Sequence, residues 1–369
     1  MKKENQKITK SFFENRYEDI EELRYSLRTI EKYAKFVNHI FIITEGHRPS
    51  WINDQHPKLT FVNHSSIFPS HYQINGKKIS HSNLLPTFNS IAIEFAMVNI
   101  PELSEHFIYL NDDVFFGQQV YPSDFFTKEG KPIYFSHHSP KEFNNQAMTK
   151  SYNTNLRFVK ASQSGAIYGC AVIHTKRVIL DKFHTILPYE LEHVSFPLTK
   201  TLYQKVFENF EEDIVETMKS KFRTIHNLHM QTLFFQQAMI GDPHKTYGYR
   251  KDNTKNITRF FMVKKPKEIF ELKMSYFTQL PKIFCINIDS SDVRSKILAF
   301  LEVFTINSSS FEKIKTPHNI SQDDFEYWRN YTIGLKEYTN SLRLKNNYKN
   351  QYSQSKYSYN KKRAWYSLQ

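Results

Sequence analysis

The chain has 369 residues, enough for a core of ~250–300 residues plus an extension, and its 40% hydrophobic content favours folding over disorder. Nine glycines, 14 prolines and two cysteines exclude collagen-like and disulfide-scaffold designs and a four-cysteine zinc site. A formal net charge of +13 points to anionic partners, and no uncharged apolar run approaches the ~20 residues of a membrane-spanning helix.

Met1–Lys10 is polar and lacks the apolar stretch of a secretory signal, so a reducing, cytoplasmic setting is expected. Tyr17–Val37 then places Ile20, Leu23, Leu27, Ile30 and Ala34 at spacings of three and four, which predicts a helix with Arg24 and Arg28 on a shared face. His39–Thr44 and Lys58–Asn63 are short, β-branched runs and read as strands, followed by a loop through Asn75-Gly76. Pro86 opens a second expected helix, with a buried stripe of Phe88, Ile91, Ala92, Phe95 and Ala96, and Pro101 stops it. Phe107–Leu110 is another buried strand, running straight into Asn111-Asp112-Asp113. This alternation predicts an α/β domain with a largely parallel sheet, whose ligands gather beyond the carboxyl ends of its strands. Further on, Ala166–His174 and Lys282–Ile288 read as strands; Leu198–Lys221, Ile225–Ile240 and Ser291–Phe304 read as helices.

Adjacent carboxylates at a strand end repel each other and resist burial unless a positive charge offsets them. Asp112 and Asp113 are therefore candidate ligands for Mg2+ or Mn2+, which take hard oxygen donors. The plainer reading has Asp112 capping a turn and Asp113 solvated. Asn287, ending a second apolar strand, could complete such a site. A diphosphate substrate needs planar cationic forks, for which Arg24, Arg28, Arg157 and Arg223 are candidates. His193 is a candidate base or phosphate ligand. Cys170 and Cys285 sit in apolar contexts and read as core residues. No Gly-x-Gly-x-x-Gly, phosphate-cradling Gly-Lys-Ser/Thr loop or Gly-x-Ser-x-Gly elbow is present.

The ordered strings Glu22-Leu23-Arg24-Tyr25-Ser26-Leu27-Arg28-Thr29-Ile30, Ile40-Phe41-Ile42-Ile43-Thr44-Glu45-Gly46, Pro49-Ser50-Trp51-Ile52, Leu85-Pro86-Thr87-Phe88-Asn89-Ser90 with Ala92-Ile93-Glu94, and Phe107-Ile108-Tyr109-Leu110-Asn111-Asp112-Asp113-Val114 resemble the second conserved region of the Stealth family. That family includes bacterial capsule-type sugar-phosphate transferases and the α/β subunits of N-acetylglucosamine-1-phosphotransferase. His193-Val194-Ser195-Phe196-Pro197 with Lys221-Phe222-Arg223 is similar to its third region. Phe284-Cys285-Ile286-Asn287 is similar to its fourth, although Ile288 stands where the family usually has Asp. The family's first region, an apolar strand ending in a Trp-Val-Asp-Gly-like turn, is not found in Met1–Phe13.

The resemblance implies a GT-A-like α/β fold, mostly parallel, with a helical insertion and a basic C-terminal tail. It implies transfer of a hexose-1-phosphate, such as N-acetylglucosamine-1-phosphate, from a nucleotide-diphosphate sugar to a hydroxyl of a polysaccharide or other glycan in capsule or exopolysaccharide synthesis. Asp113, His193 and Arg223 would be catalytic; Arg24, Arg28, Thr87 and Asn111 would bind or brace substrate; Asp112, Asp113 and Asn287 would hold Mg2+ or Mn2+. The alternatives are an ordinary metal-dependent glycosyltransferase and an inactive Stealth-like binding or scaffold protein. The expected organisation is a polar lead over 1–14, a catalytic domain over 15–305, a helical extension over 306–335 and a basic aromatic tail over 336–369. The tail holds eight Lys or Arg, one acid and seven aromatic residues. Peripheral contact with the inner face of an anionic membrane is one expectation for it, a solvated tail the plain one, and single-stranded nucleic acid the least favoured.

Overall fold

The computed structural model describes residues 21–74, 77–138, 145–160, 166–241, 248–251, 257–288, 293–305, 307–313, 321–324, 326 and 328. The tail expected over 336–369 lies outside them. The apolar stripe of the first helix folds as α1 (Glu22–Tyr33), with Leu27 and Ile30 buried. The runs IFIIT and LTFVN become β1 (Ile40–Thr44) and β2 (Leu59–Asn63), paired in parallel. β3 (His71–Ile74) and β4 (Lys77–Ser80) pair antiparallel, and the loop expected at Asn75-Gly76 lies outside the described residues.

The second helix, α2 (Ser90–Ala96), starts later than Pro86, and Asn89 caps it by accepting from the Ile91 N–H. Ile91, Ala92, Phe95 and Ala96 are buried as the spacing predicts, but Phe88 precedes the helix and is 66% exposed. The strand before the acidic pair is β5 (His106–Tyr109), and β6 (Val114–Phe116) follows that pair. Next come β7 (Ile133–His138), α3 (Asn145–Lys160), α4 (Ala166–Phe183), β8 (Tyr189–Leu191), β9 (Phe196–Thr199), α5 (Lys200–Lys219) and α6 (Met230–Ile240). β10 (Gly248–Lys251), β11 (Thr258–Val263), α7 (Pro266–Thr278), β12 (Ile283–Ile288) and α8 (Arg294–Phe304) complete the order. Ala166–His174 is therefore helical, not a strand; it is the first half of an 18-residue helix.

The α/β class holds, but the strands described do not form one parallel sheet. They stand in five small sheets of two or three strands. β11 and β12 run parallel, while β6 joins β12 antiparallel. β7 pairs in parallel with β10 and antiparallel with β8, and β5 pairs antiparallel with β9. The stretch from α3 to α6 is mostly helical.

Three apolar clusters hold these pieces together. One joins α2, α5 and α6 around Phe95, Tyr203 and Phe234. Another packs β12, α7 and α8 around Phe284, Phe300 and Trp328. The third sets Leu27 and Ile30 of α1 against Val114, Phe116 and Cys285. Polar contacts fix that last register: Ser26 Oγ donates to the Val114 carbonyl (2.8 Å), and Thr29 Oγ1 accepts from the Phe116 N–H (3.1 Å). α1 thus presses β6 onto β12, and the acidic pair at the start of β6 meets the end of β12.

Candidate active site

Asn111, Asp112 and Asp113 occupy the turn between β5 and β6. The Ile286 N–H donates to the Asp113 carbonyl (3.1 Å), extending the β6–β12 pairing by one residue, and Asn287 is the next residue of β12. The ligand atoms of Asp113, His193 and Cys285 all lie within 4.8 Å of one another. Burial pushes the Asp113 carboxyl up to about 6, and the neighbouring Asp112 charge adds to it. The Cys285 thiol lies against that carboxylate, while Asp113 Oδ1 is buried and has no hydrogen-bond partner. Burial, then Asp113, hold the thiol well above its ordinary value, so it stays protonated.

His193 follows β8, and its ring stands edge-on to Phe260 at 5.3 Å. Burial lowers its pKa, and the Arg223 charge lowers it further, leaving a neutral imidazole. Arg223 follows α5. Its Nε donates to Ser90 Oγ at 3.1 Å, and Nη2 reaches the same hydroxyl, at the first residue of α2. Buried Glu94, one turn along α2, has its carboxyl raised to about 7 by burial, against the downward pull of Arg223 and Tyr109. The Tyr109 hydroxyl lies 3.1 Å from Glu94 Oε1 and 2.5 Å from Asn111 Oδ1. Asn111 is thus tied through Tyr109 to the carboxylate that faces Arg223. On the other side of His193, burial drives His229 down to about 3; its Nδ1 pairs with the Thr232 hydroxyl (2.8 Å) at the start of α6.

Of the residues singled out from sequence, the fold gathers Asp113 and His193 and sets Arg223 within electrostatic reach of His193; Asn287 follows Ile286, whose N–H bonds the Asp113 carbonyl. Thr87 is buried and its Oγ1 accepts from the Asn89 N–H (3.2 Å), shaping the entry to α2. Arg24 and Arg28 are placed differently. Both are buried, and both guanidinium groups are taken up by carboxylates. Arg24 pairs with Glu21 (2.8 Å) and Glu312 (3.3 Å). Arg28 forks onto Glu312 at 2.8 and 2.9 Å and also meets Glu302 at 2.9 Å. Arg157, by contrast, is exposed on α3. Cys285, Glu94, Ser90 and Tyr109 were missed as site neighbours. For Glu94 the signal was a carboxylate on the apolar face of α2, which needs a partner to be buried.

The chain is similar to several known proteins. Residues 16–134 match the Stealth protein CR2 family, conserved region 2. A capsular polysaccharide phosphotransferase of Neisseria meningitidis serogroup B is 30% identical over 289 residues, 76% of this chain and 68% of the relative. An exopolysaccharide phosphotransferase of Streptomyces coelicolor is 35% identical over 211 residues, 57% of this chain but 31% of the relative. The N-acetylglucosamine-1-phosphotransferase subunits alpha/beta of Mus musculus are 48% identical over 123 residues, 33% of this chain and 9% of that protein. The chain therefore spans under a third of the Streptomyces relative and about a tenth of the murine one.

Proposed function

The chain belongs to the Stealth family, and on that premise we propose that it transfers a hexose-1-phosphate from a nucleotide-diphosphate sugar to a glycan hydroxyl in capsule or exopolysaccharide synthesis. The observation that carries the reading is the meeting of Asp113, with its buried unpartnered Oδ1, and neutral His193 under the field of Arg223. The printed names of the relatives, capsular and exopolysaccharide phosphotransferases, support the same reaction class. We also read the α/β unit as GT-A-like. The α1–β1–β2 order and the carboxylates at the end of β5 support that finer reading.

In this reading the acceptor oxygen bonds to the phosphorus that bears the sugar. The bridging P–O bond to the nucleotide breaks, and a nucleoside monophosphate leaves. His193, neutral near pH 7, takes the proton of the attacking hydroxyl. Arg223 forks across the diphosphate and offsets the charge that builds on its oxygens, with Ser90 steering the guanidinium. Asn111, anchored by Tyr109, orients the acidic turn. An orphaned carboxylate oxygen near a second carboxylate fits a hard cation, so Asp112 and Asp113, with Asn287 on the adjoining strand, would hold Mg2+ or Mn2+. Such an ion, when bound, supplies positive charge to the phosphate oxygens.

Incubation with a nucleotide-diphosphate sugar and acceptor glycan, with the nucleotide product resolved by chromatography, tests the proposal. Monophosphate is expected. Diphosphate would make the chain an ordinary glycosyltransferase, and the absence of turnover would make it a binding module.

A further inference from the structure

A cavity of about 880 Å3 opens beside His193, between α3, α4, α6 and β8. That is within the size range of small-ligand sites. His193 and His229 line it, and its charged residues are Lys150, Lys176, Glu190 and Glu192. The carboxylates are held in place: Glu192 Oε1 lies 2.8 Å from His137 Nδ1, and Glu190 Oε1 lies 3.5 Å from Lys176 Nζ. The Tyr168 ring, 38% exposed, stands edge-on to His229 at 4.7 Å. It lines the cavity and feels the charges of Glu94, Arg223 and Glu190.

We propose that this cavity is the acceptor site, and that its ligand is a neutral oligosaccharide with a free hydroxyl presented to His193. The assignment rests on the transfer reading above. Charge decides which substrate lies here. Arg223 is not among the lining residues, and the carboxylates of Glu190 and Glu192 balance the ammoniums of Lys150 and Lys176, so the lining offers a diphosphate no net attraction. Sugar hydroxyls, by contrast, donate well to ionised carboxylates, and a sugar's C–H face packs on an aromatic ring. The donor is thereby left to the Arg223 side and the acceptor to the Glu190–Glu192 side, with His193 between them.

A printed array of neutral and phosphorylated oligosaccharides, probed with the whole chain, tests this independently of turnover. Wild type should be retained on neutral saccharides. Glu190→Gln with Glu192→Gln, and separately the more exposed Tyr168→Ala, should lower that retention about tenfold or more while melting stays near wild type. No retention on any neutral saccharide, undiminished retention in both variants, or a preference of the wild type for phosphorylated over neutral saccharides would overturn the proposal. Retention without monophosphate release would sink the reaction and leave the site; monophosphate release without retention would do the reverse.

Discussion

Asp113 and Glu94 are kept where a carboxylate is uncomfortable, and this has a thermodynamic sign. Both have folded pKa values above their unfolded ones: about 6 against 3.8 for Asp113, about 7 against 4.5 for Glu94. Between those values the folded state binds more protons than the unfolded state, so stability falls as pH rises through the window. Asp113→Asn removes one such cost. Without added metal it should raise the melting temperature at pH 7–8, by up to about 3 kcal/mol of stability, and flatten the loss between pH 4 and 6. It should also abolish metal-dependent monophosphate release. Calorimetric melting across pH reads the first effect, and a melting temperature that drops would make Asp113 a structural residue. Arg223→Lys tests a different property of the site. A point charge replaces a planar fork, so turnover should fall about a hundredfold or more with the fold intact. Turnover within a few-fold of wild type would remove Arg223 from the phosphate.

At the scale of elements, the arginines of α1 act as a clasp. Glu312 is buried and takes the forks of Arg28 and one edge of Arg24, and Ile52 bridges to it in β fashion. Residues 307–313, beyond the expected domain limit at 305, are in this way pinned to α1 and the Trp51 loop. Burial pushes the Glu312 carboxyl up, yet Arg28 and Ser309 hold it below its ordinary 4.5. The clasp's contribution is therefore complete above about pH 4.5 and fades as the pH falls further. Arg28→Met leaves Glu312 buried without its main partner and should cost about 3–5 kcal/mol. Chemical denaturation checks this, and a loss under 1 kcal/mol would show the pair to be dispensable. How much of this was legible follows from range. Local runs such as IFIIT, LTFVN and IFCINI declared their strands because β-branching and burial act within a few residues. Ala166–His174 misled because it is apolar all round, and only the continuation through Phe183 separates a buried helix from a strand. Asp113 was legible as an acid at a strand end. Its meeting with Cys285, and the antiparallel pairing of β5 with β9, join residues far apart in sequence, and no local pattern encodes them. Arg24 and Arg28 were correctly placed on one face, but apart from Glu21 the acids that claim it, Glu302 and Glu312, stand 274 and 284 residues beyond Arg28.

At the scale of the molecule the charge is uneven. The last 34 residues hold eight basic and one acidic side chain, +7 of the +13 total. Among the described residues no helix is long and apolar enough to cross a membrane. A glycan growing on a lipid carrier would present its hydroxyls near an anionic surface, and a basic aromatic tail suits such a surface: each Lys or Arg adds about 1 kcal/mol of attraction within a Debye length, and interfacial aromatics anchor. We therefore expect the full chain to sediment with phosphatidylglycerol vesicles and the chain ending at 335 to stay in the supernatant. Raising salt from about 0.05 to about 0.3 M should release the full chain, because the Debye length shrinks more than twofold. Equal sedimentation of both chains, or indifference to salt, would assign the attraction to another surface. Because the tail's expected role is recruitment, truncation should leave turnover on a soluble acceptor within about twofold; if it vanished instead, the tail would belong to the same cooperative unit as Asp113 and His193.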